Sequence, residues 1–195
     1  MASNIKIVVT DTPPLVTLAA AKSLDYLLYP SLPVIIPDAV FHEATASSGL
    51  LGAEQILTWY RTNFDKVRIE PTQAFQNETT LLELGRGTGR LPRDLGDRAS
   101  MEVIRDRNLI KDNERALLLS DDKDISRLVF NPEKVLLTST RDFLRYLEET
   151  QRIQSADAVI EMAEQAGRHP AKHDLWSEHD PDVREAIKSI LRNAP

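Results

Sequence analysis

Short, unbroken apolar runs that alternate with helix-like segments constrain the fold of this chain more than any other feature. The runs occupy residues 5–9, 34–36, 66–69, 116–119 and 135–137. Strands buried on both faces are continuous apolar runs, whereas strands with one face in water alternate apolar and polar residues. Strands that alternate with helices are typical of a parallel sheet. The pattern therefore predicts an α/β fold with a parallel sheet covered on both faces.

Helix signals fill the intervals between these runs. Thr12 offers an N-cap and Pro13 a first helical position, and Asp38 offers a cap for the second helix. The predicted helices span residues 13–29, 39–47, 53–64, 73–84, 95–107, 124–130, 141–150, 155–166 and 183–193. After Gly167 the sequence becomes polar and irregular before the last helix. We therefore predict a main domain over residues 1–168 and a C-terminal helical extension over residues 169–195.

The composition excludes several classes of protein. A hydrophobic share of 42% and a charged share of 28% are ordinary for a globular protein. No apolar run reaches the roughly 18 residues that a membrane span needs, and the N-terminus has no signal-peptide pattern. The absence of cysteine excludes disulfides and thiolate metal sites, so we expect a cytoplasmic protein with no membrane partner. The net charge of -6 argues against broad duplex binding but allows carboxylates that converge on a divalent cation.

Acidic residues follow two of the predicted strands. The first strand ends at Asp11, and the fourth ends at Asp121 and Asp122. Ligands of open α/β sheets bind beyond the carboxyl ends of the strands. A single aspartate in such a place also serves as a helix cap or starts a turn. Two acidic ends on parallel strands nevertheless favour a functional site.

Helix phase adds two further acids to the candidates. On the helix that begins near Leu95, Asp97 falls on the apolar side, where an unpaired charge is costly. Glu43 lies at the border of the apolar stripe of its own helix, and spacing alone favours an ordinary surface position for it. Asp97 is therefore a candidate from its helix phase, whereas Glu43 needs other support.

Four segments, in their order and spacing, resemble PIN domains, and most closely the PIN nucleases related to VapC-type toxins. They are IVVTDTPPLVTLAAAKSLDYLL, VIIPDAVFHEAT, DLGDRAS and ALLLSDDKDISRLVF. The stretch VLLTSTRDFLRYLEETQRIQSADAVIEMAEQAGR resembles the last strand and helices of that family. The resemblance covers residues 4–168 and implies a three-layer α/β/α fold with metal-dependent ribonuclease activity.

The resemblance also assigns the acidic positions of the family to residues of this chain. They match Asp11, Glu43, Asp97 and Asp122, with Asp121 as an alternative metal ligand beside Asp122. Asp124 is a weaker candidate, because an acid near a helix N-terminus is also favourable to the helix dipole. Mg²⁺ and Mn²⁺ take such carboxylate oxygens, and they can activate a water for attack on a phosphodiester. The implied products carry a 5′-phosphate and a 3′-hydroxyl.

Pro13 departs from the pattern of the family, which usually has Ser or Thr two residues after the first aspartate. Thr10, Thr12 or Ser120 could supply the missing hydroxyl. The likeness to toxins further implies a small antitoxin protein as a partner and a homodimer. Pro13 and the acidic balance leave open an alternative, a PIN-like module that binds RNA or a protein without cutting.

Basic residues that could contact an RNA backbone lie in two places. Arg86, Arg90 and Arg93 belong to the loop around GRGTGR, whereas Lys123 and Arg127 follow the acidic pair. Ordinary surface solvation explains all five somewhat better. The loop lacks the Lys-Ser/Thr ending of a P-loop and does not follow a strand, so it does not predict a nucleotide site.

Two other classes of site are disfavoured. His169 and His173 are four residues apart, but Pro170 lies between them and argues against a zinc site. A phosphatase of the haloacid dehalogenase type needs an acid two residues after its first aspartate. This chain has Pro13 in that place.

Overall fold

Five parallel strands form the centre of the molecule. The computed structural model describes residues 4–86, 89–106, 109–122, 125, 134–170 and 181–194. The strands are β1 (Ile5–Thr10), β2 (Val34–Pro37), β3 (Val67–Glu70), β4 (Arg115–Leu119) and β5 (Val135–Thr138). Their order across the sheet is β3-β2-β1-β4-β5, and each neighbouring pair is parallel. The predicted parallel sheet is therefore confirmed.

Helices cover the sheet along most of the described chain. They are α1 (Thr12–Ala20), a 3₁₀ helix (Leu24–Leu28), α2 (Asp38–Thr45), α3 (Ala53–Thr62), α4 (Gln73–Glu83), α5 (Leu95–Asp106), α6 (Thr140–Glu149), α7 (Ala156–Gln165) and α8 (Pro181–Asn193). The helix predicted at 124–130 lies, apart from residue 125, outside the described residues. Within the described ranges, no helix combines the length and apolar character that crossing a membrane requires.

Neighbouring residues of β1 point to two separate cores, as side chains of a strand must. Val8 lies in a core with Leu18 of α1 and Phe143 of α6. Val9 lies in a second core with Val103 of α5. Helices thus pack on both faces of the sheet, and the three-layer α/β/α architecture is confirmed.

The order in which successive strands join the sheet reverses next to β1, although all five strands run in the same direction. From β1 the chain proceeds through β2 to β3 on one side, and it then returns to β4 on the other side of β1. Thr10 pairs with Leu119, and the Asp11 backbone N–H donates to the Leu119 carbonyl at 3.0 Å. The residues that follow β1 and β4 therefore leave the sheet side by side, where ligands of open α/β sheets bind.

Three details of the predicted helices were wrong. The single helix over 13–29 is broken, because α1 ends at Ala20 and Lys22 has a φ of 55°, outside the helical range. The N-cap is Asp11 rather than Thr12, since the Asp11 carboxylate accepts from the Thr12 backbone N–H. Asp38 is the first residue of α2 rather than its cap, although its side chain still accepts from the Ala39 N–H at 2.9 Å.

Helix α8 packs against α6. Ile187 and Leu191 are fully buried in the same core as Val8. The Arg152 side chain holds the end of α8, with Nε and Nη2 donating to the Leu191 carbonyl at 3.0 and 2.7 Å. The C-terminal helix thus covers part of one helical layer.

Candidate active site

A pocket of about 230 Å³ lies at the carboxyl edge of the sheet. Segments from five places in the chain meet there, since α1, α2, α5, the end of β4 and the end of α7 all contribute. The lining residues are Asp11, Thr12, Pro13, Glu43, Arg93, Gly96, Asp97, Asp122 and Arg168. The structure therefore brings together the four acids that the sequence matched to the acidic positions of the family.

Asp11 is the most deeply placed of these acids, with 4% of its surface exposed. Its Oδ1 accepts from the Thr12 backbone N–H at 2.8 Å, and its Oδ2 accepts from Ser120 Oγ at 2.9 Å. Burial first, and then the negative charges of Asp97 and Glu43, raise the Asp11 pKa to about 7, although these two hydrogen bonds lower it. A carboxylate in this position gains from a nearby cation.

Glu43 reaches the pocket from α2 although much of it is exposed. Thr12 Oγ1 donates to Glu43 Oε2 at 2.7 Å, which orients the carboxylate. Gly96 of α5 lies against both acids, because a Cβ there would be 3.4 Å from Glu43 Oε2 and 3.5 Å from Asp11 Oδ1. The first turn of α5 therefore approaches the two carboxylates closely, and a side chain at position 96 would crowd them.

The neighbouring residues Asp121 and Asp122 have different surroundings. Asp121 Oδ1 accepts from the Thr140 backbone N–H, and Oδ2 accepts from Thr140 Oγ1, both at 2.8 Å. Burial raises the Asp121 pKa despite these bonds. Asp122 is exposed, lines the pocket, and donates its backbone N–H to Ser120 Oγ at 3.2 Å. Asp121 thus joins β4 to the start of α6, while Asp122 faces the pocket.

The predicted hydroxyl groups contact the acids directly in two cases. Ser120 bonds the Asp11 carboxylate, and Thr12 bonds the Glu43 carboxylate. Thr10 Oγ1 instead donates to the Asp11 backbone carbonyl at 3.2 Å. Side-chain hydroxyls therefore hold both carboxylates although Pro13 has none.

The chemistry of the donors fits a hydrated divalent cation. In the part of the chain that the structure describes, no three acidic or histidine side chains are arranged as a ready-made metal site. Mg²⁺, however, keeps several waters and often binds through only one or two carboxylates. Asp11 is buried between two like charges, and the neighbouring oxygens of Glu43 and Asp122 are hard ligands of the required kind. The donor set of the pocket is therefore of the kind that a hard divalent cation with part of its water shell requires.

The basic residues near the pocket agree only in part with the five that the sequence suggested, of which Arg93 lines the pocket. Arg86 and Arg90 are exposed and are not among the lining residues, whereas Arg93 and Arg168 are. Lys123, Arg127 and Asp124 lie outside the described residues, as does His173, and His169 is exposed. Arg168 was missed, because it follows the end of a helix and no periodicity marks it.

A family model described as a PIN domain matches residues 7–173, which include β1 from Ile7 onward, the other four strands and every residue that lines the pocket. No curated protein and no solved structure matches the chain.

Proposed function

This chain belongs to the PIN-domain family, whose members are generally nucleases, and we propose that it is a metal-dependent endoribonuclease. The observation that carries this proposal is the convergence of Asp11, Glu43, Asp97 and Asp122 on one pocket at the switch point of the sheet. Acids from four distant segments would repel one another without a cation between them. RNA as the substrate rests on the resemblance to toxin-related PIN nucleases.

The proposed mechanism needs no nucleophilic side chain. When bound, Mg²⁺ or Mn²⁺ would supply Lewis acidity and would lower the pKa of a coordinated water. The ion would be held by the carboxylates of Asp11, Glu43 and Asp122. Asp97, which also lines the pocket, would add a further negative charge beside it. Ser120 and Thr12 keep the Asp11 and Glu43 carboxylates in fixed orientations through bonds of 2.9 and 2.7 Å. The chain thus contributes placement and negative charge, and attack by water would leave a 5′-phosphate and a 3′-hydroxyl.

Cleavage of a mixed RNA pool by the purified protein tests the proposal. We expect fragments with Mn²⁺ or Mg²⁺, none with EDTA, and products that a 5′-phosphate-dependent exonuclease degrades. Any inhibitor that co-purifies is removed first by unfolding and refolding the protein. Cleavage that persists in EDTA, or no cleavage with either metal, would contradict the enzyme proposal.

The different surroundings of Asp121 and Asp122 lead to opposite expectations for two matched variants. Asp121→Asn should keep metal-dependent cleavage, because both oxygens of Asp121 accept from Thr140 and Asp121 does not line the pocket. Asp122→Asn should reduce cleavage at least tenfold and leave stability within about 0.5 kcal/mol, since Asp122 is exposed. Urea unfolding and initial cleavage rates check both. The reverse pattern would make Asp121 the ligand.

A non-catalytic module that binds RNA or a protein is the second candidate function. It is favoured by Pro13 and by the lack of a ready-made three-ligand site among the described residues. RNA binding without metal-dependent cleavage would support this second function.

We also propose a small antitoxin protein and a second copy of the chain as partners, on the resemblance to toxins alone. Light scattering of the purified protein would test the dimer.

A further inference from the structure

Arg168 is fixed to the wall of the pocket by the first turns of α1. Its Nε donates to Thr17 Oγ1 at 3.1 Å, and its Nη2 donates to the Pro13 carbonyl at 3.4 Å. The residue is partly buried, and it lines the pocket together with Asp11 and Asp122. Pro13 therefore lacks a hydroxyl but contributes its carbonyl to the position of an arginine.

The charge of the pocket makes a fixed cation significant. Four carboxylates line it and the whole chain has a net charge of -6, so a polyanionic substrate meets repulsion. Among the described lining residues, the cations are Arg93 and Arg168. Arg93 is exposed, whereas two hydrogen bonds to α1 hold the Arg168 guanidinium before any ligand arrives. A group that is already oriented loses little freedom when it binds a ligand.

The guanidinium also has donors left for a ligand. Its bonds to Thr17 and Pro13 use Nε and Nη2, and Nη1 makes no bond to any residue that the structure describes. Asp121 is near enough to interact electrostatically with Arg168, but its oxygens accept from Thr140, and the described hydrogen bonds of the guanidinium go to Thr17 and Pro13. Arginine is well suited to phosphate oxygens, because its planar fork donates parallel hydrogen bonds.

We propose that Arg168 is a phosphate-binding residue of this site and holds the nonbridging oxygens of an RNA phosphodiester beside the acidic cluster. This inference rests on the proposed function for its substrate. It gives Arg168 a role in placing the scissile bond, in addition to holding the end of α7 against α1.

Binding of a fluorescent single-stranded RNA, measured in Mg²⁺ over a series of salt concentrations, tests this proposal. All proteins carry Asp11→Asn so that the RNA stays intact. Adding Arg168→Gln should weaken binding about tenfold and flatten the slope of log K against log salt by about 0.7, the value for one phosphate contact on a single strand. Arg168→Lys keeps the charge and should keep the slope, with binding a few-fold weaker.

Arg152→Met is the matched control for a purely structural role. Arg152 also joins two helices through backbone carbonyls, but it lines a different cavity. The Arg152→Met substitution should lower the melting temperature of the protein and leave its RNA affinity within twofold of the parent. The proposal is overturned if Arg168→Gln matches its parent in affinity and slope, or if the parent does not bind RNA. Should Arg168→Gln fail to fold, Arg168→Lys decides, because unchanged affinity in that variant contradicts the proposal. Lack of cleavage by the wild type would contradict only the proposed nuclease activity. The proposed role of Arg168 would stand, because RNA binding is measured without cleavage.

Discussion

The Asp11→Asn variant is expected to lose metal-dependent RNA cleavage by at least about a hundredfold. Removing a group that only orients a metal ligand typically lowers metal affinity or activity about 10- to 100-fold. Asp11 is placed to be a ligand itself, so its removal should cost more. The amide keeps the shape and the bond to Thr12, so the loss would come from the missing negative charge. Initial rates of RNA cleavage by the variant and the wild type at saturating Mn²⁺ measure this loss.

A thermal melt provides an independent measurement for the same variant. Mn²⁺ should raise the melting temperature of the wild type, because it binds the folded state, and the shift should vanish in Asp11→Asn. Asp157→Asn removes an exposed acid that does not line the pocket, and it serves as the control with both rate and shift unchanged. Cleavage by Asp11→Asn at the wild-type rate would exclude Asp11 from the reaction.

Without metal, the same variant is expected to be more stable than the wild type above about pH 7. The Asp11 pKa is about 7 in the folded protein and 3.8 as an ordinary aspartate, so folding favours its protonated form. The wild type therefore loses stability as pH rises from about 4 to 7, by up to about 4 kcal/mol from this residue. An asparagine carries no charge to bury. Its oxygen can accept from Thr12 and its NH₂ can donate to Ser120.

Urea unfolding in EDTA at several pH values checks this expectation. The difference in unfolding free energy between Asp11→Asn and the wild type should be near zero at pH 4, grow through pH 5 to 7, and level off above pH 8. Comparing the two proteins isolates Asp11 from Asp121, whose pKa burial also raises. Added Mn²⁺ should remove the advantage of the variant. A variant less stable than the wild type at pH 8 would show that burial does not penalise the Asp11 charge.

The layered fold could be predicted because its signals are local. The apolar run before Asp11 and the one before Ser120 are each too short for a typical helix and are rich in aliphatic residues, so each indicated a buried strand by itself. The break at Lys22 could not be predicted in this way. The sequence there remains compatible with a helix, and packing of the 3₁₀ helix over Trp59, whose indole donates to Asp25 at 2.9 Å, overrides the local preference.

The site was only partly predictable for a related reason. Asp11 follows a strand, and that position alone suggested a role. The roles of Asp121 and Asp122 depend on Thr140, which lies far along the chain, so no local pattern could separate the pair. Gly96 and Arg168 become significant only when distant segments meet.

Helix α8 shows that the stretch recognised by sequence comparison and the stretch that folds together have different lengths. The family match ends at residue 173, yet Ile187 and Leu191 are fully buried against the layer that contains α1 and α6. A shortened protein cut at the end of the match would expose that apolar surface to water and to other copies of itself. The final helix therefore belongs with the PIN domain in any preparation of this protein.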